Sequence, residues 1–160
     1  MTKKKKSSAL PTPDRYLEFL RHVTLHGIGL ESANVRVDRN ALAEATASKT
    51  AADISVDAQF KVIQNNAQTL VVAAAFALKQ LVEHDEHKTV LSIECSFSAL
   101  FNVEISVDTE TADRFADNEA KVIFWPYLRH FVSDTSYRMA ITPVLLPLIT
   151  SARTPDTSEK

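Results

Sequence analysis

The sequence predicts an α+β domain in which strands come first and a long helix follows. Large apolar residues alternate with polar ones from Thr89 to Ile105, the period-two pattern of a half-buried strand. Ile123, Phe124, Tyr127, Leu128 and Phe131 recur at helical spacing within Thr111 to Met139. The length agrees, since 160 residues, 45% of them hydrophobic, suit one domain that buries about 70% of its extended-chain surface.

In chain order, Tyr16 to Ser32 reads as a strand. Leu17, Phe19, Val23 and Leu25 hold odd positions, then Ile28 and Leu30 hold even ones. That change of phase requires one extra residue near His26-Gly27, a β-bulge, and glycine tolerates such a kink. Val35 to Val56, rich in Ala, Thr, Ser and charge, serves equally as a long crossover loop or a short helix. Asp57 to Gln64 alternates weakly, with Phe60 and Val62 on one side, and Asn65-Asn66-Ala67 suits a turn. Gln68 to Glu83 favours helix by propensity. However, its even positions Leu70, Val72, Phe76, Leu78 and Val82 are large and Ala73, Ala75 and Ala77 are small, so a strand is preferred.

In Thr89 to Ile105, Leu91, Ile93, Cys95, Phe97, Phe101, Val103 and Ile105 form the buried face. Ser92, Glu94, Ser96, Ser98 and Asn102 form the wet one. His84-Asp85-Glu86-His87 is the polar turn of an antiparallel hairpin. The following helix has Thr111 or Asp113 near its start, is kinked or reopened at Pro126, and stops at Thr142-Pro143. Val144 to Ile149 is short and apolar. Residues 1–15 and 150–160 are expected to be disordered tails around a domain at 16–149.

Composition excludes several functions. With only Gly27 and Gly29 in the chain, no glycine-rich phosphate loop can be built. The single Cys95 allows neither an internal disulfide nor a thiolate zinc site, and a reducing cytoplasm is the natural compartment. Leu70 to Leu78, the longest apolar run, has nine residues, short of the roughly 20 a membrane helix needs. Without Lys3 to Lys6 the net charge of -2 becomes -6. An acidic body is a poor partner for nucleic acid.

Local chemistry is sparse. His84-x-x-His87 reads as a solvated turn rather than a metal site, and His130 with Asp134 as a local ion pair. Cys95, on an apolar face, is a core residue rather than a nucleophile. Glu94 and Glu104 lie ten residues, roughly 33 Å, apart on one strand and cannot share a catalytic site. No catalytic residue, metal or cofactor is expected. Apolar surface is in excess instead: Phe124, Trp125, Tyr127 and Leu128 wrap almost all round the helix, and Ile141 to Ile149 adds more. Such surface is covered by another subunit or used for binding.

Ile123-Phe124-Trp125-Pro126-Tyr127-Leu128-Arg129 followed by Thr142-Pro143-Val144-Leu145-Leu146-Pro147 resembles the aromatic-Pro-Tyr-x-Arg helix and Pro-rich return of the SecB chaperone family. His26 to Asn34 is similar to that family's first strand and its exit. The resemblance spans roughly residues 16 to 149. It implies a four-stranded antiparallel sheet with the helix packed beside it, in a dimer of dimers. It further implies a non-enzymatic, ATP-independent holdase that keeps unfolded or nascent polypeptides in apolar grooves, either for the SecA translocase or for an antitoxin. By the same resemblance Phe60, Val62, Ile141, Val144 and Leu145 hold clients, and Glu31 and Glu94 face the translocase.

Departures from the family point both ways. A normally acidic translocase position is Gly27, the crossover lacks its aromatic anchor, and Ser151 to Lys160 stands where export chaperones have a final helix. Phe97-Ser98-Ala99-Leu100-Phe101 looks closer to the branch that protects an antitoxin. A small-molecule-binding or structural α+β subunit is the competing reading: it would enclose its apolar helix around a pocket or one permanent partner.

Overall fold

The computed structural model describes residues 13–82 and 88–148. Its elements are α1 (Pro13–His22), β1 (Val23–Val37), α2 (Arg39–Ser48), β2 (Ala52–Asn65), β3 (Thr69–Val82), β4 (Lys88–Val103), α3 (Thr109–Phe115) and α4 (Lys121–Arg138), with a π-helical turn at Ala116–Ala120. The four strands form one antiparallel sheet in the order β1-β4-β3-β2. The two most apolar strands are therefore central, and β1 and β2 are its edges.

The first element differs from the sequence expectation. Tyr16 to His22 is helical, and Pro13 to Arg15, assigned to the tail, belong to the same helix. Tyr16 and Phe19, three apart on one helix face, are 5% and 1% exposed, whereas Leu17 is 53% exposed. The odd-position pattern thus ran across a helix start and mixed its two faces. α1 is clamped onto α3: Phe19 meets Phe115 edge-on at 5.4 Å, Arg114 sits 4.1 Å over the Tyr16 ring, and the Tyr16 hydroxyl donates to Glu119. Burial, then the Glu119 carboxylate, pushes the Tyr16 hydroxyl up to about 12.

The bulge in β1 is present, and a second follows it. Pairing with β4 skips His26 and again Glu31. Ile28 and Leu30 therefore face the helices from even positions, and Val35 and Val37 return to odd ones. Gly27 is not what permits this: neither glycine has a positive φ, and a Cβ at either would meet nothing within 4 Å. The crossover resolves as a short helix. Asp38 caps α2 by accepting from the Ala41 amide at 2.9 Å, and Ala41 and Ala45 pack on Val82 and Val90. At the β2–β3 turn, Asn66 Oδ1 accepts from the amides of Gln68 and Thr69. The turn containing His84 and His87 lies outside the described residues, as do Lys3 to Lys6.

β3 is a strand despite its helix-forming composition, because burial outweighs propensity. Leu70, Val72, Ala74, Phe76 and Leu78 are each at most 3% exposed, and a fully buried aliphatic side chain stabilises by about 1.5–3 kcal/mol. Opposite them lies a buried line with one residue every four: Ala112, Ala116, Ala120, Phe124, Leu128, Val132 and Ser136. Four residues overshoot an α-helical turn by about 40°. The wider π-helical turn at Ala116–Ala120 offsets part of that drift and keeps the line on the sheet.

The helix is capped three residues before Thr111, the earlier of the two proposed caps, with Asp108 accepting from the Thr111 amide at 2.8 Å. Its irregularity falls at residues 116–120, while α4 continues through Pro126. It ends before Thr142-Pro143: Ala140 is left-handed, at φ 53°, and the Ile141 amide donates back to the Ser136 carbonyl. Asp134 pairs with Arg138 at 2.7 Å, not with the expected His130, because Arg138 lies one turn on with the longer reach. No helix among the described residues is long and apolar enough to cross a membrane.

Candidate functional site: an apolar ledge on edge strand β2

β2 places Ile54, Val56, Phe60 and Val62 on the helix-facing side of the sheet, at its border. Val56, Phe60 and Val62 are half-buried against the core, and Ile54 is 41% exposed. Phe60 ends an aromatic series running inward. Its ring meets Phe76 edge-on at 5.8 Å and Phe124 at 6.2 Å; Phe76 meets Phe97 at 6.1 Å, and Phe97 meets Phe131 at 6.0 Å. The inner rings hold Phe60 in place while its outer side stays open to solvent. Pairing with β3 skips Ile63, which is 56% exposed beside Val62. An edge strand also offers unpaired backbone groups along its free side. Apolar side chains and free main chain on one ledge suit an extended polypeptide.

The structure separates the other proposed client residues. Ile141 lines a 280 Å³ cleft with Leu42, Ala52, Gln80 and Val82. Ala52 is eight residues from Phe60 along β2, roughly 26 Å. Val144 is 5% exposed and packed in the core, so it offers a client no surface, whereas Leu145 is 74% exposed. The segment carrying them lies along α4: Arg129 Nε donates to the Leu146 carbonyl at 2.8 Å, and Trp125 Nε1 to that of Pro147 at 2.7 Å.

Of the four residues proposed for an oligomer interface, Phe124 and Leu128 are 0% exposed. Both are enclosed by this chain's own core, since they stand on the line that faces the sheet. Trp125 is half-buried against the return segment, and Tyr127 is 44% exposed. Sequence reasoning missed a different apolar border, on β1. Leu25 and Leu30 face the helix side yet stay 38% and 48% exposed, and Val122 is 46% exposed. Leu20, Val23, Leu25, Phe115, Val122 and Ile123 line an open 260 Å³ pocket there. The phase change at Ile28 and Leu30 was its only trace, because its walls come from separate elements.

Glu31 and Glu94 both lie on the helix-free face. Glu31, at the second bulge, accepts from the Ser98 hydroxyl. Glu94 is paired with Asn34 and Ala77 and stands four residues from Ser98, roughly 13 Å along β4. With Asn34, Asp57, Gln59 and Ser96 it rims a shallow basin of 430 Å³ floored by Ala75 and Ala77. This face carries small and polar residues, and the apolar surface lies on the other. Cys95 lies in the core, where burial pushes its thiol up to about 11 and keeps it protonated. Among the described residues no group of three or more His, Cys, Asp or Glu is arranged to hold a metal.

No family model matches the sequence, and no characterised protein matches it either. Structure finds what sequence does not. The chain is similar to the SecB-like chaperone Rv1957 of Mycobacterium tuberculosis, in complex with a ChAD peptide from the HigA1 antitoxin: TM-score 0.70, 19% identity, 83% of this chain and 95% of that one. A protein of unknown function from Streptococcus agalactiae aligns with TM-score 0.46 and 10% identity over 79% of this chain and 97% of that one. This chain's four-stranded antiparallel sheet and long helix thus have the fold of that SecB-like chaperone.

Proposed function

We propose that the chain is an ATP-independent holdase that binds extended apolar segments of unfolded polypeptide along the Phe60–Val62 ledge. The observation that carries this reading is the aromatic series that fixes Phe60 at the open border of a SecB-like fold. Desolvating apolar surface stabilises by about 25 cal/mol per Å² before ordering costs, so holding needs neither nucleotide nor cofactor. A homotetramer, assembled through apolar borders such as Leu25, Leu30 and Val122, would present several ledges to one client and add avidity. The reading places the protein in the cytoplasm and gives it no catalytic step.

An antitoxin is the favoured client, because a solved SecB-like chaperone with this fold is in complex with an antitoxin peptide. Delivery of export precursors to the SecA translocase is the second reading, supported by the position of Glu31 and Glu94 on one free face. The purified chain is expected to suppress aggregation of a denatured test protein at stoichiometric ratio without ATP; continued aggregation sinks the holdase reading. Glu31→Lys with Glu94→Lys is expected to leave holding intact. Loss of SecA co-sedimentation in that variant supports export, and no SecA binding by the unaltered chain leaves the antitoxin role.

A further inference from the structure

The return segment after α4 behaves as a bound peptide. After the left-handed Ala140 the chain doubles back, with the Leu146 carbonyl at Arg129 and the Pro147 carbonyl at Trp125. From 144 to 147 its side chains alternate as in an extended ligand: Val144 and Leu146 are 5% and 2% exposed, whereas Leu145 is 74% exposed and Pro147 also faces out; the alternation stops at Leu148, which is 70% exposed. Yet it joins no strand. Among the described residues no main-chain hydrogen bond ties residues 142–148 to another part of the chain. Pro143 and Pro147 have no N–H to satisfy. The hold consists of two aliphatic side chains in the core and two side-chain donors on carbonyls. Donors that reach carbonyls read the backbone, which any extended peptide supplies.

We propose that residues 141–148 are a displaceable occupant of a second peptide channel along α4. The channel takes an extended segment with aliphatic side chains two residues apart, next to proline. This rests on the holdase reading in one respect, that a client is what displaces the occupant. Opening needs rotation near Ala140 and release of the Ile141 amide from the Ser136 carbonyl, and the left-handed Ala140 backbone already strains a residue with a Cβ.

The full chain is titrated into a fluorescein-labelled octapeptide copying residues 141–148 and into a labelled control carrying Asp in place of both buried aliphatic residues, with binding read as fluorescence anisotropy. A saturable rise in anisotropy is expected with the first and none with the second. Leu146→Ala weakens only the internal occupant and is expected to tighten octapeptide binding at least about tenfold; Val144→Ala is expected to act in the same direction, with Leu145→Ala as the neutral control. Equal affinity in all three variants and the unaltered chain overturns the channel. If binding tightens but a denatured client still aggregates, the channel stands and the holdase reading falls. If clients are held while the labelled octapeptide shows no rise in anisotropy, the channel inference falls alone.

Discussion

The Phe60 ring meets the Phe76 ring edge-on, 5.8 Å between centroids and 83° between planes, where the sheet's last strand leaves the core. One side of Phe60 is thus fixed by the protein while the other stays open. Phe60→Ala should therefore have two separable effects. Half of a Phe→Ala core penalty, about 2 kcal/mol, is expected as lost stability, together with a several-fold weaker hold on an apolar client. Val62→Ser, which leaves the ring pair intact, is expected to weaken holding with a smaller stability cost. Thermal melts and aggregation suppression on the same samples check both. Unchanged holding in the pair of variants removes the ledge from the site.

The border at Leu30 gives a prediction about assembly. Leu30→Asp places a charge on a half-exposed apolar position and is expected to lower the solution mass measured by light scattering. The corresponding change at Phe124 is expected to unfold the protomer instead, because that side chain has no exposed surface. A Leu30→Asp variant with unaltered mass would show that copies do not meet at this border.

Asp108 supplies a pH prediction. The Thr111 amide donates to its carboxylate at 2.8 Å and, with the neighbouring Thr111 side chain, holds its pKa below the ordinary 3.8, with Arg15 at 3.6 Å adding a smaller pull. The folded pKa is the lower one, so the cap's stabilisation is full above the unfolded value and disappears as pH falls through the folded value. Asp108→Asn keeps an acceptor without the charge. The melting-temperature difference between this variant and the unaltered chain is expected to shrink as pH drops from 7 toward 3. Asp108→Ala is expected to cost about 1 kcal/mol at neutral pH.

Glycine placement gives a fourth. The two left-handed positions among the described residues, Lys49 and Ala140, close helices that favour glycine there, whereas both glycines lie on β1 without a positive φ. Ala140→Gly is expected to raise stability by up to about 1 kcal/mol, and Gly29→Ala by about 0.5–1 kcal/mol, in thermal melts. A destabilised Gly29→Ala would mean that another surface approaches this strand closely in the assembled protein.

Strands with one wet and one dry face were legible in the sequence, because Leu91 to Val103 alternates with Leu100 alone out of phase and Leu70 to Leu78 carries its bulkiest residues at even positions. The long helix was legible from Ile123 to Phe131. α1 was not, since Leu17 and Phe19 mimic strand alternation over a stretch too short to show a helical period. Phe60 and Val62 were placed on one side of a strand by their alternation, and β2 has them on one side; the family resemblance alone makes them client residues. Ile141 and Val144 lie apart from them, Ile141 in a separate cleft and Val144 in the core, because a sequence shows that a segment is apolar without showing which way it folds back. Phe124 and Leu128 show the same limit: apolar residues all round a helix do not reveal which face the sheet takes.

The wide turn at Ala116–Ala120 bears on how this chain tolerates changes in length. A π-helical turn carries one residue more than the regular turn it replaces. Losing a residue such as the exposed Asn118 would let the helix revert to regular winding there, with Phe124, Leu128 and Val132 still aimed at the sheet. Losing one anywhere in α4 would rotate everything beyond it by about 100°. The helix thus has one place where the gene can gain or drop a codon, and it lies just before the residues that most need their bearing.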